Sequence, residues 1–323
     1  MNKFEYKSFF ELKKMPLAAV KKYHLEKRKY EYENGIELTG LKLRKAIHLL
    51  PLLAIKLMRK LEKQELHILN DKRTDTTSSK LYACTHIGGD DIQMAFEAIK
   101  EHTYLFLGDP EDLYQRIEGV LLEMNGVISM ETRPQESFID ELLEKKLISE
   151  NEIEQFKEVI KKDRKIASAR AIELLNKNRN LLIFPEGAWN LSPNLPVMGL
   201  FPGTVKMALE TGAEIVPMAI EQYQNKFYVN IGSNIKVTDR GATSIQYYNE
   251  KLRDTLATLK WEIWEYQGIQ KREECPTQEE FVQEIMNRSD YVYKVEDVYE
   301  TMYHDKNITN PEDVKGLYLR HTR

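Results

Sequence analysis

Apolar residues gather in short runs through the middle of the chain, most of them beside glycine, proline or aspartate. Residues 81–84, 104–107, 127–130, 181–184, 215–220 and 227–231 are such runs. Runs of this length bounded by turn formers read as buried strands. Between them the apolar positions recur at three and four residues. Ile92, Phe96 and Ile99 share one helical face, and Ile166, Ala169, Ile172 and Leu175 share another. A shorter helix is expected over 204–210, stopped at Gly212 as a C-terminal cap dictates. Short buried strands separated by helices predict an α/β fold, with a largely parallel central sheet flanked by helices.

The two ends lack this alternation. The first 64 residues read as helical stretches separated near Asn34-Gly35 and again around Thr39-Gly40, followed by a polar loop over 71–80. Residues 135–162 are charged and helical in character, without evident chemistry. Beyond 244 the pattern is helical and polar, with Trp261 and Trp264 spaced to share a face. The organisation predicted is a basic helical membrane-association arm over 1–64, a catalytic domain over 65–243 and a helical C-terminal extension over 244–323. There is no internal repeat and no low-complexity segment.

Charge sharpens this division. The net charge of −4 is the sum of a basic arm and an acidic body. Residues 1–63 hold 16 Lys or Arg against 7 Glu and no Asp, which leaves 31 basic and 44 acidic residues beyond. A basic arm on an acidic body suggests an anionic surface as partner, membrane or nucleic acid. No nucleic-acid motif accompanies the arm, which favours the membrane. The most apolar stretch, 46–58, is short, contains His48 and Lys56 and is interrupted by Pro51, so no spanning helix is expected. Residues 41–61 alternate leucine and isoleucine with Lys42, Arg44, Lys45, Lys56, Arg59 and Lys60. That pattern suits a helix lying flat on a membrane, and equally one whose apolar stripe packs on the protein. Cys84 and Cys275 are too few for a disulfide framework, and the N-terminus shows no secretory signal.

Several familiar catalytic devices are missing: no G-x-S-x-G elbow, no H-E-x-x-H, no dinucleotide glycine fingerprint. The stretch Gly199 to Lys206 lacks the ending of a phosphate loop. What stands out is Thr85-His86-Ile87-Gly88-Gly89-Asp90-Asp91, directly after the apolar run 81–84. Chemistry in α/β sheets collects at the carboxyl ends of strands. A histidine five residues before an aspartate can fold back over a glycine turn, so that Asp91 accepts from one ring nitrogen and leaves the other to take a proton. The plainer alternative is that Asp90 or Asp91 only caps the next helix. A second segment, Phe184-Pro185-Glu186-Gly187, places a carboxylate on a turn at the end of another apolar run.

Four blocks occur in order: His86 to Asp91, Gly126 to Arg133, Phe184 to Gly187, and Ile215-Val216-Pro217-Met218-Ala219-Ile220. In order and spacing they resemble the lysophospholipid acyltransferase family, of the 1-acylglycerol-3-phosphate acyltransferase type, over roughly residues 66–235. The resemblance implies transfer of a fatty acyl group from an acyl thioester, acyl-CoA or acyl carrier protein, to a lysophospholipid hydroxyl. It implies that His86 deprotonates the acceptor hydroxyl, Asp91 orients the imidazole, Arg133 binds the acceptor phosphate, and Glu186 with Gly187 shapes the acceptor site. A thioester is already activated and a hydroxyl needs only a base, so no metal or redox cofactor is expected. The partners expected are the thioester donor, the lysophospholipid and an anionic membrane surface, with the protein cytoplasmic and peripheral at the inner face of the cell membrane.

The chain departs from the family pattern at three positions. Thr85 stands where asparagine is usual, and Ala188 and Trp189 stand where threonine and arginine usually follow the F-P-E-G block. Residues 134–165 read as an insertion. The missing arginine admits a second reading, an acyltransferase for a non-phosphorylated sugar or polyol. Cys84 as nucleophile, in a thioesterase or acyl-enzyme, and a catalytically weak membrane-bound scaffold are further readings.

Overall fold

The computed structural model describes residues 4–35, 48–88, 90–108, 117–131, 135–187, 189–190 and 196–267. Outside them lie the Thr39-Gly40 break, Lys42, Arg44, Lys45, Gly89, Arg133, Ala188 and the C-terminal extension past residue 267. The first described elements are α1 (Phe9–Leu12), α2 (Leu17–Glu33), α3 (Leu49–Leu61), β1 (Glu65–Asp71), β2 (Lys80–Cys84), α4 (Asp91–Ile99), β3 (Thr103–Gly108) and α5 (Ile117–Asn125). They continue with β4 (Val127–Met130), α6 (Gln135–Glu144), α7 (Ile153–Asn176), β5 (Asn180–Ile183), α8 (Gly203–Thr211), β6 (Glu214–Tyr223), β7 (Lys226–Ile231) and α9 (Ser244–Tyr266). The fold is α/β, and each apolar run read from the sequence is a strand.

The chain divides into two compact units, Met1–Leu57 with His102–Leu181, and Met58–Glu101 with Leu182–Arg323. In the first, β3 and β4 pair in parallel. Helices α2, α6 and α7 enclose a core of Leu25, Phe138, Leu142, Phe156 and Ile160. Burying each such side chain is worth about 1.5–3 kcal/mol, so the charged stretch 135–162 owes its helices to the apolar residues spaced through it. The helix expected around Ile166 begins at Ile153 and runs unbroken to Asn176. Arg28 of α2 grips Asp163 of α7 through Nε at 2.7 Å and Nη2 at 3.0 Å, and Asp163 accepts the Glu131 N–H at 2.7 Å.

In the second unit the strand order is β1-β7-β6-β2. β1 pairs with β7 and β2 with β6 in parallel, whereas β6 and β7 are antiparallel. The reversal follows from the two-residue turn Gln224-Asn225, where Gln224 takes φ +56°. β1 was not legible as a strand because none of its residues is buried. It is a polar edge, as edge strands commonly are. Helix α9, the described part of the C-terminal extension, packs on β6 and β7 through Leu259 and Ile263 against Ala219 and Tyr228. Trp261 and Trp264 do share a face, with ring centroids 5.9 Å apart.

Helix α3 separates the two readings of the arm's apolar stripe. Pro51 sits in its first turn, where a missing N–H costs nothing, so it starts the helix instead of interrupting it. Leu49, Leu53, Leu57 and Leu61 recur every fourth residue, and with Leu50 they are 58–74% exposed. Ile55 is buried, and so is Arg59, which pairs with Glu97 at 2.7 Å. Lys56 and Lys60 are exposed beside the stripe. Among the described residues, these leucines therefore stand outside the packed core. Among the described residues no helix is long and apolar enough to cross a membrane.

Candidate active site

The site forms where two strands end. β2 stops at Cys84 and delivers Thr85 and His86. The chain then turns at Gly88 into α4, whose first residue is Asp91. This turn returns the carboxylate to the ring: Asp91 Oδ2 lies 2.8 Å from His86 Nδ1. The same oxygen accepts the Ile87 N–H at 2.6 Å and the Gly88 N–H at 3.1 Å. Because Oδ2 is an acceptor for two backbone donors, the hydrogen between it and Nδ1 belongs to the ring, and in the neutral imidazole Nε2 is left as the acceptor. Asp91 is fully buried and His86 is 7% exposed. The helix-capping alternative fails for both aspartates. Asp91 is committed to His86, while Asp90 makes no side-chain cap and accepts from Gln64 Nε2 at 2.9 Å.

The second block comes from the end of β5. Phe184 stacks on the His86 ring with centroids 4.1 Å apart and planes 26° from parallel. Trp189 meets the same ring edge-on at 5.9 Å. Two aromatics thus fix the imidazole plane. Glu186, 3% exposed, uses both carboxylate oxygens internally: Oε1 accepts the His86 N–H at 3.1 Å and Oε2 the Met198 N–H at 2.8 Å. Burial raises its pKa, opposed by these two N–H bonds and by the charge of Lys260. Each carboxylate oxygen thus holds one backbone N–H, so Glu186 braces the two loops together. Gly187 has φ +69°, the left-handed region glycine occupies without cost. The Asn190 N–H donates to the His86 carbonyl at 2.7 Å, so the two loops are joined again beyond the turn.

Four of the five residues picked from the sequence, His86, Asp91, Glu186 and Gly187, are therefore one cluster. The fifth, Arg133, lies outside the described residues. Cys84 is wholly buried and its thiol is pushed well above the ordinary range, first by burial and then by Asp91. A thiol held protonated in the interior is a poor nucleophile, which removes the basis of the acyl-enzyme reading. The ring contacts of Phe184 and the brace made by Glu186 were not foreseen, since the only sequence signal for them was adjacency to the F-P-E-G turn. Among the described residues no three His, Cys, Asp or Glu side chains are grouped to hold a metal ion.

Residues 65–221 match the family model described as Acyltransferase, a span holding all four blocks. Over that span, just under half of the chain, the sequence is similar to the acyltransferase family. It is similar to the 1-acyl-sn-glycerol-3-phosphate acyltransferase of Borreliella burgdorferi, with 37% identity over 65 residues. That match covers 20% of this chain and 25% of the relative, so the chain spans about a quarter of the relative's length. Among solved structures it is similar to the 1-acyl-sn-glycerophosphate (LPA) acyltransferase PlsC of Thermotoga maritima. There the identity is 13% and the TM-score 0.47, over 81% of this chain and 97% of that one.

Proposed function

We propose that this protein is an acyltransferase that moves a fatty acyl group from an acyl thioester, acyl-CoA or acyl carrier protein, to a hydroxyl of a lysophospholipid such as 1-acylglycerol-3-phosphate. The observation that carries the reading is the His86 Nδ1 to Asp91 Oδ2 contact at 2.8 Å, which leaves Nε2 as a base. Nε2 takes the hydroxyl proton as the oxygen attacks the thioester carbonyl. The tetrahedral adduct then collapses, the C–S bond breaks, and the departing thiolate recovers the proton from the imidazolium. The thioester supplies its own activation, so the reaction as written calls on no metal or redox cofactor. Arg133 is assigned to the acceptor phosphate, because a guanidinium fork can bind two oxygens at once.

The proposed reaction delivers a fatty acyl chain to a lipid acceptor, and the exposed leucine stripe of α3 supports docking at a membrane. Five exposed leucines flanked by Lys56 and Lys60 suit the boundary between headgroups and acyl chains. Basic residues of the arm would add about 1 kcal/mol each near an anionic surface. The protein is thus read as peripheral, at the inner face of the cell membrane.

Trp189 favours one second reading. It stands where the family usually has a phosphate-binding arginine, with its ring edge on His86. A flat aromatic beside the base suits a sugar or polyol acceptor. Mass spectrometry of products, after incubation with an acyl thioester and a panel of lysolipids and glycosides, tests both readings. Acylated lysophosphatidic acid supports the first, and an acylated glycoside with no acylated lysolipid overturns it.

A further inference from the structure

Lys260 of α9 is a cation buried to 2% exposure within the unit that holds the candidate site. Its Nζ donates to the Ile220 carbonyl at 2.5 Å and lies 3.1 Å from Glu221 Oε2. Trp264, one helical turn further on, donates its Nε1–H to the same Glu221 oxygen at 2.9 Å. Ile220 is also where β6 holds the residue before the catalytic histidine. The Ile220 N–H donates to Thr85 Oγ1 at 3.0 Å, and the Thr85 hydroxyl lies 3.4 Å from the Ile220 carbonyl. One residue of β6 thus touches the buried ammonium at its carbonyl and the Thr85 hydroxyl at both its N–H and its carbonyl.

We propose that Lys260 is a positioning residue for His86, acting through the Ile220 backbone and the Thr85 hydroxyl. The inference rests on the reading of His86 as base. A packing role alone would not select lysine, because burying an ammonium is costly unless it is paired and hydrogen-bonded, and an apolar side chain would cover β6 more cheaply. The charge has work to do where it stands. Asp91 and Glu186 are both buried carboxylates, and Lys260 draws the Glu186 carboxyl down against burial, as does His86. The arrangement also gives Thr85 a purpose. A hydroxyl can donate and accept, so it contacts both the N–H and the carbonyl of Ile220 where the family usually places asparagine.

The test uses the full chain, with an acyl-coenzyme A and 1-acylglycerol-3-phosphate as probes. Lys260→Met is expected to lower kcat by roughly 10- to 100-fold, the range expected for a misplaced catalytic group, while both KM values stay within about twofold. Removing Lys260 alone strands Glu221, so Lys260→Met/Glu221→Gln is made as a folded companion and should show the same loss. In a Thr85→Val background the Lys260→Met change should cost little more, because both act through one backbone contact. Hydrogen exchange should quicken over residues 84–88 in Lys260→Met. Parent-like kcat and exchange in either folded Lys260 variant, or full additivity with Thr85→Val, overturns the inference. His86→Ala separates the two readings: turnover surviving in that variant sinks the base, whereas its loss beside a parent-like Lys260→Met sinks only the role of Lys260.

Discussion

The ring of Phe201 covers the face of Gly187 on which a side chain would stand, so that an added Cβ would meet it at 2.6 Å. The two segments are also tied through the backbone, the Phe201 N–H donating to the Pro185 carbonyl at 2.9 Å. Gly187→Ala therefore carries two penalties, a left-handed backbone worth about 1–2 kcal/mol and displacement of the ring. A fall of a few degrees in Tm is expected, with a drop in turnover because the same turn carries Glu186. In Gly187→Ala/Phe201→Ala the steric part should be relieved and the backbone part should remain. An unchanged Tm in the single variant would mean that the turn readjusts freely.

His86→Ala should abolish acyl transfer, and Asp91→Asn should reduce it by a smaller but large factor. Base and orienting roles are commonly worth on the order of 10²–10⁴-fold. Cys84→Ser should keep most of the activity, since the buried thiol takes no part. Steady-state kinetics on the three variants checks this, and an acyl group recovered on Cys84 would reverse the assignment.

Glu186 links stability to pH in a stated direction. Burial lifts its folded pKa above the ordinary value near 4.5, so the folded state holds the proton more tightly than the unfolded one. Its contribution is greatest below the unfolded value and declines as pH rises towards the raised folded value. Glu186→Gln lacks that dependence. The Tm of the parent minus that of the variant should accordingly shrink from about pH 4 to about pH 7. A difference that grows with pH would show that the two N–H bonds hold the carboxylate charged more firmly than burial opposes it.

The leucines of α3 contribute little to the fold, because their side chains are already in water. Leu53→Gln/Leu57→Gln should leave Tm within a degree or so of the parent, as surface changes usually do. The same change should weaken sedimentation with anionic liposomes by roughly tenfold or more, through lost apolar burial. High salt should weaken binding further by screening the lysines. Equal sedimentation by parent and variant would remove the membrane role of this stripe.

The proposed reading assigns the choice of acceptor to Arg133 and Trp189. A charge-assisted hydrogen bond contributes about 1.5–3 kcal/mol, so Arg133→Ala should cost roughly 10- to 100-fold in kcat/KM for phosphorylated acceptors and little for neutral ones. Trp189→Arg should improve turnover of lysophosphatidic acid. The readout is the ratio of kcat/KM for phosphorylated and unphosphorylated acceptors. A flat ratio across parent and both variants would favour the sugar or polyol.

What the sequence determined by itself was local. The strands β2 to β7 follow from short apolar runs bounded by turn formers, helix α4 from a period of 3.6 residues and α8 from its glycine stop. The His86 to Asp91 pair follows from a spacing of five residues whose closure needs only a tight turn. Such features are fixed by neighbours in the chain. Tertiary structure decided the rest. The hydrogen bond from the His86 N–H to Glu186 spans 100 residues and that between Thr85 and Ile220 spans 135, so no spacing rule announces either. Whether the α3 leucines face protein or water was equally open, since an amphipathic pattern has the same period in both cases. Only the finished packing, which buries Ile55 and Arg59 and leaves Leu53 and Leu57 outside, settles which face the protein had a use for.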